Sequence, residues 1–118
     1  MKIISPTLPK PIEKYLRSVN AGALDDFATS FADDARVKDL EREIRGLDAI
    51  KEWARRDIFG VNARLDALRV TEGNGRTVVT VKIDGTFDRT GLPDPLLMDH
   101  AFTLVDGRIT ELKVTFTA

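Results

Sequence analysis

Apolar residues recur at helical spacing along the first half of the chain and at strand spacing along the second, so the chain reads as helices followed by a sheet. Ile12, Tyr15, Leu16 and Val19 stand at i, i+3, i+4 and i+7 and form one face of a first helix. The prolines at 6, 9 and 11 form its lead-in and first turn, and Gly22 ends it in the left-handed stop position. Leu24, Phe27, Ala28 and Phe31 repeat the pattern on a second, short helix. A strand from Arg36 to Asp39 follows, then a charged crossing from Leu40 to Arg45. A third helix opens around Leu47-Asp48, with Asp48 as N-cap and an inner face of Ile50, Trp53, Ala54 and then Asp57 or Ile58. Beyond Asn62 the period becomes two, predicting strands over roughly 64–71, 76–87, 96–105 and 108–117. Their joints are Gly73-Asn74-Gly75, the loop Asp88 to Pro95 and the hairpin turn Asp106-Gly107. Helices first and an antiparallel meander afterwards make an α+β fold, with one curved sheet wrapped over the helices and enclosing a conical cavity.

Polar groups fall where this pattern expects an apolar wall. Tyr15 belongs to the buried stripe of the first helix. On the first strand Asp39 follows Val37 by two residues and shares its inward face, where a carboxylate costs free energy unless it is paired, hydrated or used. On the third long strand Met98, His100, Phe102 and Leu104 share one face, and Asp99, Ala101, Thr103 and Val105 share the other. The apolar set belongs inside, which turns His100 toward the cavity and Asp99 away from it unless a β-bulge restores the other register.

The chain of 118 residues is 42% hydrophobic, enough for a single domain over 1–118 with its own core. Eighteen basic and nineteen acidic side chains give a net charge of −1 without blocks of one sign, so nucleic-acid binding has little electrostatic support. The absence of cysteine removes disulfides and thiolate metal sites and favours a reducing cytoplasm. The N-terminus has no apolar core of signal-peptide length, and no apolar run approaches membrane-spanning length. With one histidine and no ligand spacing, a metal site has no basis in the sequence.

Asn20-Ala21-Gly22, the turn Phe31 to Ala35, the separation of Tyr15 from Asp39, and Met98-Asp99-His100 together resemble the nuclear transport factor 2-like superfamily. Within it the chain is similar to the SnoaL-like polyketide cyclase and ketosteroid isomerase group, and most of all to ketosteroid isomerase. The resemblance implies a cone-shaped, cystatin-like α+β fold with a mixed, mainly antiparallel sheet, and a homodimer formed through the outer sheet face, where Val78, Leu97, Val105 and Thr115 offer apolar and β-branched surface. It also implies cofactor-independent proton transfer on a carbonyl compound, with Asp39 as base, Tyr15 as one donor to the developing enolate oxygen and Asp99 as the other. The strand alternation names His100 for that second place. The tyrosines that buttress the phenol in some members have no counterpart at Phe31 or Ala54.

The expected ligand is therefore a small apolar molecule. Candidate cavity residues are Phe27, Phe31, Val37, Trp53, Asp57, Val81, Met98, Phe102, Val114 and Phe116, together with Tyr15, Asp39 and His100. Other readings of the same residues stand beside these. Asp39 also fits a strand-end carboxylate paired with Arg42 or Arg45, and Tyr15 and His100 fit hydrogen-bonded core positions. A non-catalytic ligand-binding or assembly module, and a cyclase or water-activating hydrolase, use the same cavity, and fold alone does not choose among them.

Overall fold

The computed structural model describes residues 8–117; Pro6 of the lead-in lies outside them. Helix α1 (Lys10–Ala21) carries Pro11 in its first turn, and Gly22 closes it with φ 70°. Ile12, Tyr15, Leu16 and Val19 are all buried, as the spacing predicts. Helix α2 (Leu24–Ala28) is one turn shorter than expected. Phe31 is therefore the first residue of strand β1 (Phe31–Asp39), and the helical phase does not reach it. Its ring still points into the core, because the Thr29-Ser30 turn re-aims the chain before the strand begins.

The charged crossing is a strand, β2 (Arg42–Arg45), which pairs antiparallel with the end of β1. Leu40 takes φ 58° in the turn between them. Helix α3 (Leu47–Asp57) starts from Gly46, not from Asp48, which sits inside the first turn and makes no cap. Gly46 has φ 87° and donates its N–H to the Ala35 carbonyl at 2.8 Å, so the turn is tied to β1 by the backbone and leaves no place for a side-chain cap. Ile50, Trp53 and Ala54 face inward. A short 3-10 turn (Phe59–Val61) leads to β3 (Arg64–Gly73) and β4 (Arg76–Asp84), and then to β5 (Leu97–Val105) and β6 (Arg108–Phe116).

The six strands form one sheet in the order β2-β1-β6-β5-β4-β3. Only β1 and β6 run parallel, and the helices cover one face of the resulting mixed sheet. Pairing of Met98, His100 and Phe102 with Val81, Val79 and Thr77 puts this set on the inner face, while Asp99 stands beside Thr80 on the outer one. Leu104 keeps this phase, opposite fully buried Ile109 and packed against the core, but it is only half-buried near the end of the strand, where the β5–β6 register shifts between Thr103 and Leu104. Asn20 fastens α1 to the sheet by accepting the Leu65 N–H at 2.8 Å and donating to the Leu65 carbonyl at 2.9 Å.

Candidate functional site

Between α1, α3 and the sheet lies a cavity of about 210 Å³. Asp39, the last residue of β1, reaches it from one side, Tyr15 from α1 and His100 from β5 from the others. The Tyr15 ring is packed against Phe27 and Phe102, each with centroids 5.2 Å away, and against Phe31 at 6.1 Å and His100 at 6.0 Å. Four rings thus hold the phenol in place, a constraint by packing where no tyrosine supplies a hydrogen bond.

Burial and charge set the protonation of both neutral groups. Tyr15 is 1% exposed, and burial, followed by the negative charge of Asp39, holds its pKa well above that of a free phenol, so it remains a donor. His100 is 4% exposed, and burial pushes its pKa down to about 4 against the opposing pull of Asp39 and Asp99. The imidazole is therefore neutral near pH 7 and offers one N–H. Its Nδ1 has no hydrogen-bond partner among the described residues, an uncommon state for a buried polar atom.

The depressed His100 pKa makes a stability prediction with a definite sign. The unfolded imidazole takes up a proton near pH 6.5 and the folded one near 4, so stability is complete above 6.5 and declines as pH falls between them. The loss approaches about 3 kcal/mol at pH 4. Urea midpoints at pH 7 and pH 4.5 measure it, and His100→Gln is expected to flatten the slope over that interval.

Asp39 has partners of its own. Its Oδ2 accepts the Trp53 Nε1–H at 3.0 Å and an Arg42 N–H at 2.7 Å, and Arg42 also donates to Asp57 Oδ2 at 2.6 Å. Of the two arginines expected as partners, only Arg42 takes this place; Arg45 pairs with Glu43 instead. Trp53, Asp57, Met98, Val114 and Phe116 line the cavity with the three polar groups, Phe116 standing 45% exposed at its mouth.

Two sets of expected residues lie elsewhere. Asp99 is half-buried on the outer face of the sheet, where its Oδ1 accepts the hydroxyls of Thr80 at 2.7 Å and Thr117 at 2.9 Å, so it cannot meet a ligand held by Tyr15. Phe27, Phe31, Val37, Val81 and Phe102 are fully buried core residues and not cavity wall. Their spacing identifies the inner face correctly, but periodicity carries no information about depth. Conversely, Leu40, Ala63, Leu65, Phe87, Leu92 and Leu96 line the cavity without having been singled out. Phe87, Leu92 and Leu96 belong to the β4–β5 loop, where apolar side chains in a segment rich in Gly, Asp and Pro were the available signal.

A family model described as a SnoaL-like domain matches residues 12–112. The chain belongs to the SnoaL-like domain family. Solved structures agree with this SnoaL-like fold. A candidate polyketide cyclase of Sinorhizobium meliloti is 26% identical, with a TM-score of 0.82 over 92% of this chain and 95% of the other. A candidate ketosteroid isomerase of Kribbella flavida, 17% identical, has a TM-score of 0.76 over 93% and 77%. TerC, crystallised with polyporic acid, is 20% identical, with a TM-score of 0.77 over 92% and 89%. No curated protein matches the chain. Among the described residues, no helix is long and apolar enough to cross a membrane.

Proposed function

We propose that this SnoaL-like protein is a cofactor-independent enzyme that moves a proton on a small apolar carbonyl compound. The observation that carries the reading is the convergence of Asp39, Tyr15 and His100 on one mostly apolar cavity, with the tyrosine and the histidine both neutral. Asp39 would accept the proton from the carbon acid, and Tyr15 and His100 would donate to the oxygen on which negative charge develops. Asp39 would then return the proton to another carbon. His100 takes the second donor place that the family resemblance assigns to Asp99, since the latter faces away.

The ligand would be compact. A cavity of about 210 Å³ is smaller than the usual range of about 300–1,000 Å³ for drug-sized molecules, so one or two rings fit and anything larger would emerge past Leu40 and Phe116. TerC, crystallised with polyporic acid, supports ligand binding in this fold. The cysteine-free sequence suits a reducing cytoplasm. Proton exchange of enolisable ketones in heavy water, followed by NMR, tests the reaction: buffer-level exchange with every ketone that binds would end the catalytic reading.

One observation favours a second reading, a binding module without chemistry. Asp39 Oδ2 is already occupied by Arg42 and Trp53, as in a carboxylate kept for structure. In that case ketones would bind without exchange.

Assembly is part of the same proposal. The outer sheet face carries half-buried Val78 and Leu97 with exposed Thr115, and Val105 stands exposed at the β5–β6 hairpin, so a two-fold contact is expected there. Light scattering at micromolar concentration should give a dimer mass; a monomer mass would remove the contact.

A further inference from the structure

The carboxylate of Asp39 is held from two sides. Arg42 uses a single guanidinium nitrogen for both Asp39 Oδ2, at 2.7 Å, and Asp57 Oδ2, at 2.6 Å, while the Trp53 indole donates to the same Asp39 oxygen at 3.0 Å. These partners come from three elements: the end of β1, the start of β2 and the body of α3. Among the described residues, no donor engages Asp39 Oδ1. Two donors converging on one oxygen restrain the carboxylate from turning about its last bond, and the other oxygen accepts no hydrogen bond from the described residues.

Stability alone does not explain this arrangement. The Arg42 side chain is 54% exposed, and ion pairs in such positions contribute little. Arg42 does not itself line the cavity. What it links is a cavity carboxylate to a second carboxylate at the end of α3. Hydrogen bonds to Asp57 and then to Asp39 raise its pKa further above the ordinary guanidinium value, so the clamp stays charged throughout the working pH range.

We propose that Arg42, anchored by Asp57, is a positioning residue that orients Asp39 so that Oδ1 is presented to the proton of the ligand. The inference rests on Asp39 being the base. Asp57, although it lines the cavity, then serves as the anchor of the clamp.

Trp53 is the only tryptophan of the chain, so its indole N–H gives one resonance that reports the Asp39–Trp53 bond without any activity being needed. In Arg42→Gln this resonance should move upfield and broaden, and Asp57→Asn should move it in the same direction. In the heavy-water exchange assay Arg42→Gln should lower kcat about tenfold or more with KM unchanged, because a misoriented base binds ligand normally but reaches it poorly. Arg42→Lys should recover part of the rate, since it restores the charge without the planar fork. An indole resonance unchanged in both Arg42→Gln and Asp57→Asn would overturn the inference, as would a moved resonance with kcat unchanged. Should the parent protein exchange no ketone, the proposed reaction fails by itself, and the indole resonance alone decides whether Arg42 orders Asp39.

Discussion

Asp39→Asn is expected to lower ketone exchange by roughly two or more orders of magnitude, the usual contribution of a positioned general base. Asparagine keeps the shape of the side chain and can still accept from Arg42 or Trp53, but it has no lone pair basic enough to take a proton from carbon. Ligand affinity should persist, because Leu65, Ile83, Met98 and the other apolar walls carry most of it. Tyr15→Phe should cost less, and its loss should fall on kcat, since a donor to a developing oxyanion acts chiefly in the transition state. A structural Asp39 predicts a different pattern: no exchange in the parent, so that Asp39→Asn changes only the melting temperature, by the modest amount that the loss of charge opposite half-exposed Arg42 and at the Trp53 bond allows. Rates and melting curves of the same two proteins therefore separate the readings. Unchanged exchange in Asp39→Asn would remove it as the base.

The largest effect on stability is expected at Phe102. It is fully buried on β5, opposite Leu112 and Thr77 in the strand pairing, and its ring lies 5.2 Å from that of Tyr15. Phe102→Ala should cost about 3–5 kcal/mol, the sum of lost burial and a cavity that a sheet interior closes poorly. Urea unfolding should show the midpoint falling at unchanged slope, and the melting temperature should drop by more than about 10 °C. A loss below about 1 kcal/mol would mean that the aromatic cluster repacks. The same substitution removes one of the rings that hold the phenol, so ketone exchange at temperatures where the variant is folded should fall through kcat. Phe102 thus ties the stability of the core to the orientation of the Tyr15 donor.

Much of the frame is readable from local pattern. The i, i+3, i+4, i+7 stripe of α1 and its Gly22 stop both correspond to the structure. So does the alternation along β5 that sends His100 inward and Asp99 outward, because pleat geometry depends only on neighbours in sequence. Failures begin where a neighbour in space intervenes. The Leu40–Arg45 crossing has no strand signature of its own, and it becomes β2 because the exposed edge of β1 offers it a backbone ladder. Asp48 has the chemistry of an N-cap, but the bond from Gly46 to Ala35 sets the start of α3 elsewhere.

The candidate site divides in the same way. Tyr15, Asp39 and His100 are recognisable from sequence, as polar groups on apolar faces whose phase is local. The pairing of Asp39 with Arg42 was one of two open choices, and the link onward to Asp57, fifteen residues from Arg42, had no sequence signal. Nor could spacing tell that Phe27 and Phe102 lie behind Tyr15 while Phe87 and Leu92 reach the cavity from an irregular loop. Periodicity reports which way a side chain faces, since that follows from backbone geometry within a few residues. What stands in front of it depends on how distant segments pack, so tertiary structure alone decided the depth of each wall residue, the partner of each carboxylate and the size of the space they enclose.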